Sequence, residues 1–306
     1  KIRTVFFFFV LIFFLRIPAL FYPVLDVDEA IYGLFARIWF DGGIPYVDCV
    51  ETKPLGIYLF FGSIFSIFGR FNMIAVHVAT MFVVGATSFV IYKICHLIYD
   101  SAIAKRIGLW AALFYIVFGT TYIPKYIAST IEPIMLLAVC LQFYFWLKFE
   151  KDDRKLNALL SGVMFSLACL FKYQAGMNLV VMVLYLGVVR PFFNKNIKYL
   201  ESWKGFATFI LGAIPLPVIM ILYLWGIGGL GGFWLWNIIG NADYIAGGQT
   251  VIHFGHQILT RVLPYIASTL LLWSLVAIRA VGFRSFVTGR EALIFFWFIL
   301  TIIPVS

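Results

Sequence analysis

Residues 54–69 read PLGIYLFFGSIFSIFG, and whether this run crosses a membrane decides the fold. It is apolar enough to cross but short. Sixteen helical residues reach about 24 Å, against a hydrocarbon core of roughly 30 Å. Nine other apolar runs lie at 4–22, 72–94, 107–124, 132–148, 156–172, 174–190, 205–226, 260–279 and 291–306. Positive charge separates the two readings, because loops on the cytoplasmic side gather Lys and Arg. If 54–69 lies in the interface, sixteen of the 23 cations fall on one side, at Lys1 and Arg3 and in clusters around 93–106, 148–155, 190–204 and 279–290. If it crosses, the clusters at 93–106 and 148–155 change sides and the asymmetry collapses. The expected fold is therefore an all-α, polytopic bundle of about nine spans. Juxtamembrane helices lie in its first outer loop, and its amino terminus is cytoplasmic.

The composition points the same way. Of 306 residues, 63% are hydrophobic and 12% charged, far from the roughly 25% charged residues of a soluble domain. Such a chain cannot cover itself with polar surface, which excludes a soluble enzyme, a disordered chain and a nucleic-acid-binding module. The net charge of +9 resolves into +10 on the inner side and −1 on the outer. It is thus a topology signal and a match to anionic lipid. The four cysteines lie far apart, without metal-ligand spacing, and read as small buried hydrophobes. The first run lacks a small-residue cleavage site and is expected to stay as a membrane helix. The chain opens without Met and stops inside an apolar run, so a further C-terminal part is expected.

The inner loops are short charged turns, such as KFEKDDRK at 148–155. The outer face carries two long loops, 23–71 with two interfacial helices, and 227–259. With no repeat and no second soluble domain, residues 1–306 read as a single membrane domain. The Gly-rich stretch 226–248 fits either a gate over a site or a loosely packed connector.

Polar groups converge on that outer face. Asp26 and Glu29, three apart, form a capping-box pattern opening a helix at 28–41. Asp28 lies in its first turn, at a depth where an acid is costly to place. GGIPY breaks the helix, and Asp48, Glu51 and Lys53 follow. Glu132 opens the fourth span, with Pro133 expected at the first helical position. Lys172 ends the fifth, and His253, His256 and Arg261 precede the eighth. Each alone has a structural explanation as a cap, a snorkelling lysine or a wet loop. Together, carboxylates and cations at the membrane boundary suit a substrate with an anionic head and a lipid tail.

These residues also carry a resemblance. DVDEAIYGLFARIWFDGGIPYVD at 26–48 with KPLGIYLF at 53–60 resembles the first-loop pattern of the membrane glycosyltransferases of superfamily C. The nearest branch holds the protein O-mannosyltransferases and the aminoarabinose transferases. STIEPIMLL at 129–137 is similar to their serine/threonine-acid motif, and LSGVMFSLACLFKYQAG at 160–176 to their small-residue helix ending in Lys. The match runs over about residues 1–190, with HFGH and Arg261 a weaker one beyond. The sequence departs in having one Pro after Lys53, Glu at 132, and Glu51 two residues before Lys53.

The resemblance implies an inverting glycosyltransferase that uses a sugar on a polyprenyl phosphate, at the outer side of the cytoplasmic membrane. Asp28 matches the family's catalytic Asp and would take the proton of an acceptor hydroxyl. Lys53, with Lys172 and Arg261, would hold the donor phosphate. Glu29, Asp48, Glu51, Glu132 and His256 complete the substrate-binding set. The expected partners are the lipid-linked donor, membrane lipids and an acceptor protein, lipid or glycan, with no nucleic acid. No metal-ligand set is readable, and a divalent cation stays open as a cofactor. Two other readings remain, a lipid or solute transporter and a non-catalytic subunit of the same fold.

Overall fold

The computed structural model describes residues 2–99, 101–120, 127–189, 199–241 and 293–294, and among these it is helical, without a β-strand. The helices are α1 (Ile2–Arg16), α2 (Val27–Phe40), α3 (Gly56–Phe68), α4 (Met73–Ile98), α5 (Ser101–Phe118), α6 (Ile131–Asp152), α7 (Lys155–Phe171), α8 (Met177–Leu184), α9 (Tyr199–Ala213), α10 (Pro215–Gly226) and α11 (Leu230–Phe233). A 3-10 turn at Ile17–Leu20 extends α1, and π-helical turns at Tyr185–Val189 and Trp234–Ile239 extend α8 and α11. The chain divides into two compact units. The first holds residues 1–175 and 205–237, the second 176–204 and 238–306.

Three described helices are long and apolar enough to cross a membrane: Met73–Ile98, Ile131–Asp152 and Trp203–Gly226. Phe6–Leu20, Gly56–Phe68, Lys155–Phe171, Tyr173–Gly187 and Leu230–Ile239 are apolar but shorter. The expected spans 260–279 and 291–306 lie almost wholly outside the described residues. The run at 54–69 becomes α3. Its 13 residues give about 20 Å, short of a hydrocarbon core of roughly 30 Å. The run at 205–226 is broken at Ile214, because Pro215 and Pro217 lack the N–H groups that would continue the ladder.

In the first unit α4 is central, packing on α1, α5 and α6, and α6 forms a hairpin with α7. Small residues allow the close crossings. A Cβ at Gly162 of α7 would clash with the backbone of α9 at Phe209, and Ser161 donates to Gln142 O of α6 at 2.8 Å. On α3, Ile57, Tyr58, Phe61, Ile64 and Phe65 are buried. This spacing makes one helical stripe, which lies on Tyr32, Phe35 and Ala36 of α2. The Phe35 and Tyr58 rings stack at 3.8 Å. Ile131 and Ile134 of α6, Phe171, Leu224 and Phe233 join the same core. The first long loop is thus a folded platform over one end of the helices. At that end Arg16, the start of α4 and residues 127–132 meet. At the other end, a Cβ at Gly205 of α9 would clash with Phe149 of α6.

Candidate active site

The site is built on helix starts. Asp26 is the N-cap of α2, and its Oδ1 accepts from Asp28 N at 3.0 Å. The capping box is only half formed. Glu29 turns away from Asp26 N and accepts from Leu25 N at 2.8 Å and from Ser129 N. The helix starts at Val27, one residue before the expected 28. Asp28 is half-buried in the first turn. Glu132 lies in the first turn of α6, and Pro133 falls at the third helical position rather than the expected first. Its missing N–H is still one that has no intrahelical partner.

Around Tyr32 the carboxylates come together. Its phenol is pushed well above the ordinary range, first by burial and then by Asp28, Glu132, Glu51 and Asp26. Four acids from α2, the loop before α3 and the start of α6 therefore act on one hydroxyl. Two lysines stand beside them. Lys172 Nζ lies 2.8 Å from Glu132 Oε1, and Lys53 Nζ lies 3.9 Å from Glu51 Oε1. Both pairs are partly exposed. Glu51 also accepts from Thr52 N and Oγ1, and Lys53 Nζ donates to Thr52 Oγ1 at 3.2 Å. Gly56, at the start of α3, fits against α7 because its missing Cβ would fall 2.5 Å from Leu170 O. That contact brings the Lys53 segment to the end of α7, where Lys172 sits.

Two expected binding residues point elsewhere. Glu29 is fully buried, and its Oε1 lies 3.5 Å from His77 Nδ1. Asp48 is exposed and closes its own loop by accepting from Ile44 N at 2.6 Å. His253, His256 and Arg261 lie outside the described residues. Among the described residues, no three or more His, Cys, Asp or Glu side chains form a group that could hold a metal ion.

The structure adds residues that sequence reading passed over. His77 Nδ1 is 3.0 Å from Ser129 Oγ, and Thr80 Oγ1 is 2.8 Å from the same oxygen. Arg16, at the end of α1, is fully buried, and its Nη2 donates to Ala128 O at 3.1 Å. The sequence signals were an Arg within the apolar run 4–22 and a His within the run 72–94. Tyr46 OH donates to Lys53 O at 2.8 Å, and Asn237 Nδ2 donates to Glu51 O at 3.1 Å.

The sequence model of the dolichyl-phosphate-mannose-protein mannosyltransferase family matches residues 52–226, more than half of the chain. The chain belongs to this family. It is a membrane protein of a glycosyltransferase family, as the first-loop and Lys172 motifs imply. Lys53, Glu132 and Lys172 fall inside the match to this mannosyltransferase family, Asp28 lies before it and Asn237 after it. No curated protein matches the chain.

Proposed function

We propose that the protein transfers a sugar from a polyprenyl-phosphate donor to an acceptor hydroxyl or phosphate, with inversion, on the extracytoplasmic side of the membrane. The observation that carries the reading is the grouping of Asp28, Glu51 and Glu132 around Tyr32, with Lys53 and Lys172 beside them. An acid in the first turn of a helix, half out of solvent, suits a base acting on the acceptor hydroxyl that attacks the anomeric carbon. The acceptor oxygen forms a bond to that carbon, and the carbon–oxygen bond to phosphate breaks. The acceptor proton passes to the Asp28 carboxylate, and the polyprenyl phosphate leaves with the bonding pair. Lys53 and Lys172 stabilise the charge that grows on the leaving phosphate. Glu132 binds hydroxyls of the sugar or acceptor.

A lipid-linked donor also needs an apolar path. An open cleft of about 770 Å³ lined by Trp225, Leu230, Phe233 and Trp234, among others, lies on the segment that carries Asn237. It supports the lipid half of the reading as the lysines support the phosphate half. The test is the stereochemistry of transfer. Purified protein in liposomes would be given a β-linked polyprenyl-phosphate mannose and an acceptor extract, and the product linkage read by NMR. An α-linked product is expected. A β-linked product would rule out direct attack, and no transfer from any polyprenyl-phosphate sugar would remove the donor class.

A further inference from the structure

We infer that Asn237 is a positioning residue that sets Lys53 relative to Lys172, and that the segment 229–237 completes the phosphate end of the site. The inference rests on the proposed lipid-phosphate donor. Asn237 is 2% exposed and lies in the π-helical turn that extends α11. Such turns often mark functional positions, because the extra residue re-aims a side chain. Its amide works at both ends. Nδ2 donates to Glu51 O at 3.1 Å, and Oδ1 accepts from Tyr173 OH at 2.8 Å. Tyr46 OH donates to Lys53 O at 2.8 Å. The backbone of 51–53 is therefore held at both of its outer carbonyls. The same amide grips the residue that follows Lys172. A rigid planar group with a donor and an acceptor on one carbon fixes the spacing between these two segments.

The approach of this segment is built into the sequence. A Cβ at Gly229 would lie 2.8 Å from Pro45 O, and one at Gly232 would clash with Tyr46 O. The two glycines, three apart on one face, lay the backbone of 229–232 against residues 45–46. Phe233 then packs on Tyr46 with ring centroids 5.4 Å apart. Residues 229–237 are thus a docked strap in which Asn237 is a polar contact aimed at the lysine segments.

The test is binding of a short-chain fluorescent polyprenyl monophosphate to the protein in phosphatidylcholine nanodiscs. Asn237→Ala should weaken binding about ten- to a hundredfold, because it frees Glu51 O and Tyr173 OH together. Tyr173→Phe, which removes one hydroxyl and keeps the ring, should weaken it several-fold with an unchanged melting temperature. It decides the matter if the alanine variant does not fold. In a Lys53→Ala background, Asn237→Ala should add less than about threefold, because its effect runs through the placement of Lys53. Full additivity, or wild-type affinity in Asn237→Ala and Tyr173→Phe, overturns the positioning role while leaving the donor class standing. Failure of the wild-type protein to bind the monophosphate overturns both.

Discussion

Glu29 and Asp28 are neighbours in sequence, and their substitutions should have opposite signatures. Glu29 is fully buried and accepts from Leu25 N and Ser129 N. Its Oε1 also faces His77 Nδ1 at 3.5 Å. Glu29→Ala strands one buried and one partly buried N–H group at about 1–3 kcal/mol each. We expect a total of about 2–6 kcal/mol. At about 2–4 °C per kcal/mol for a unit of this size, the melting temperature should fall by roughly 4–24 °C. Asp28→Asn removes none of these bonds, because the helix cap is Asp26 and the Asp28 backbone N–H that it accepts is unchanged. Loss of the first-turn charge itself costs about 0.3–1 kcal/mol. Both variants would be melted in the same detergent with an intrinsic tryptophan readout. A Glu29→Ala protein that melts within about 2 °C of wild type while losing donor binding would place Glu29 at the substrate and refute the structural assignment.

Lys53→Ala should weaken donor binding as well as turnover, since the phosphate is charged in ground and transition states alike, and titration with the polyprenyl monophosphate at two salt concentrations would show a shallower salt dependence. Gly232→Ala should lower the melting temperature, because its Cβ meets a backbone carbonyl that cannot swing away. Overpacking of this kind costs about 1–3 kcal/mol. The Cys49 thiol is pushed up to about 11, chiefly by burial. At pH 7 about one molecule in ten thousand is then thiolate, so maleimide should label Cys49 slowly in the native protein and quickly after denaturation in SDS.

Much of the fold was legible because helix ends are local events. Glu132 with Pro133 marked the start of α6 to within two residues, and the run beginning at 72 marked that of α4, which Asn72 caps by accepting from Ala75 N. The break at Ile214 was missed, since the run 205–226 was read for hydropathy alone and its two prolines were passed over. The site was legible in part. Asp28, Glu51, Lys53, Glu132 and Lys172 stand out as charges between apolar runs, and the structure brings them around α2 and the start of α3. The contacts that hold them were not legible. Glu29 meets Ser129 across 100 positions, and Asn237 meets Glu51 across 186. No local pattern records such a pairing. Glu29 looked like a capping-box partner because its spacing fits one, but the nearby Ser129 N–H offered a buried, charge-assisted bond instead.

The most direct test of the account is sugar transfer by Asp28→Asn. Radiolabelled sugar on a polyprenyl phosphate would be supplied to wild-type and variant protein in liposomes at equal loading, with binding of the polyprenyl monophosphate measured alongside. Asn keeps the shape of the side chain but cannot take a proton. Transfer should therefore fall by about 10²–10⁴-fold, equivalent to about 2.7–5.5 kcal/mol of barrier, with monophosphate binding changed less than about threefold. Transfer at the wild-type rate by Asp28→Asn would contradict the account and remove Asp28 from the chemistry.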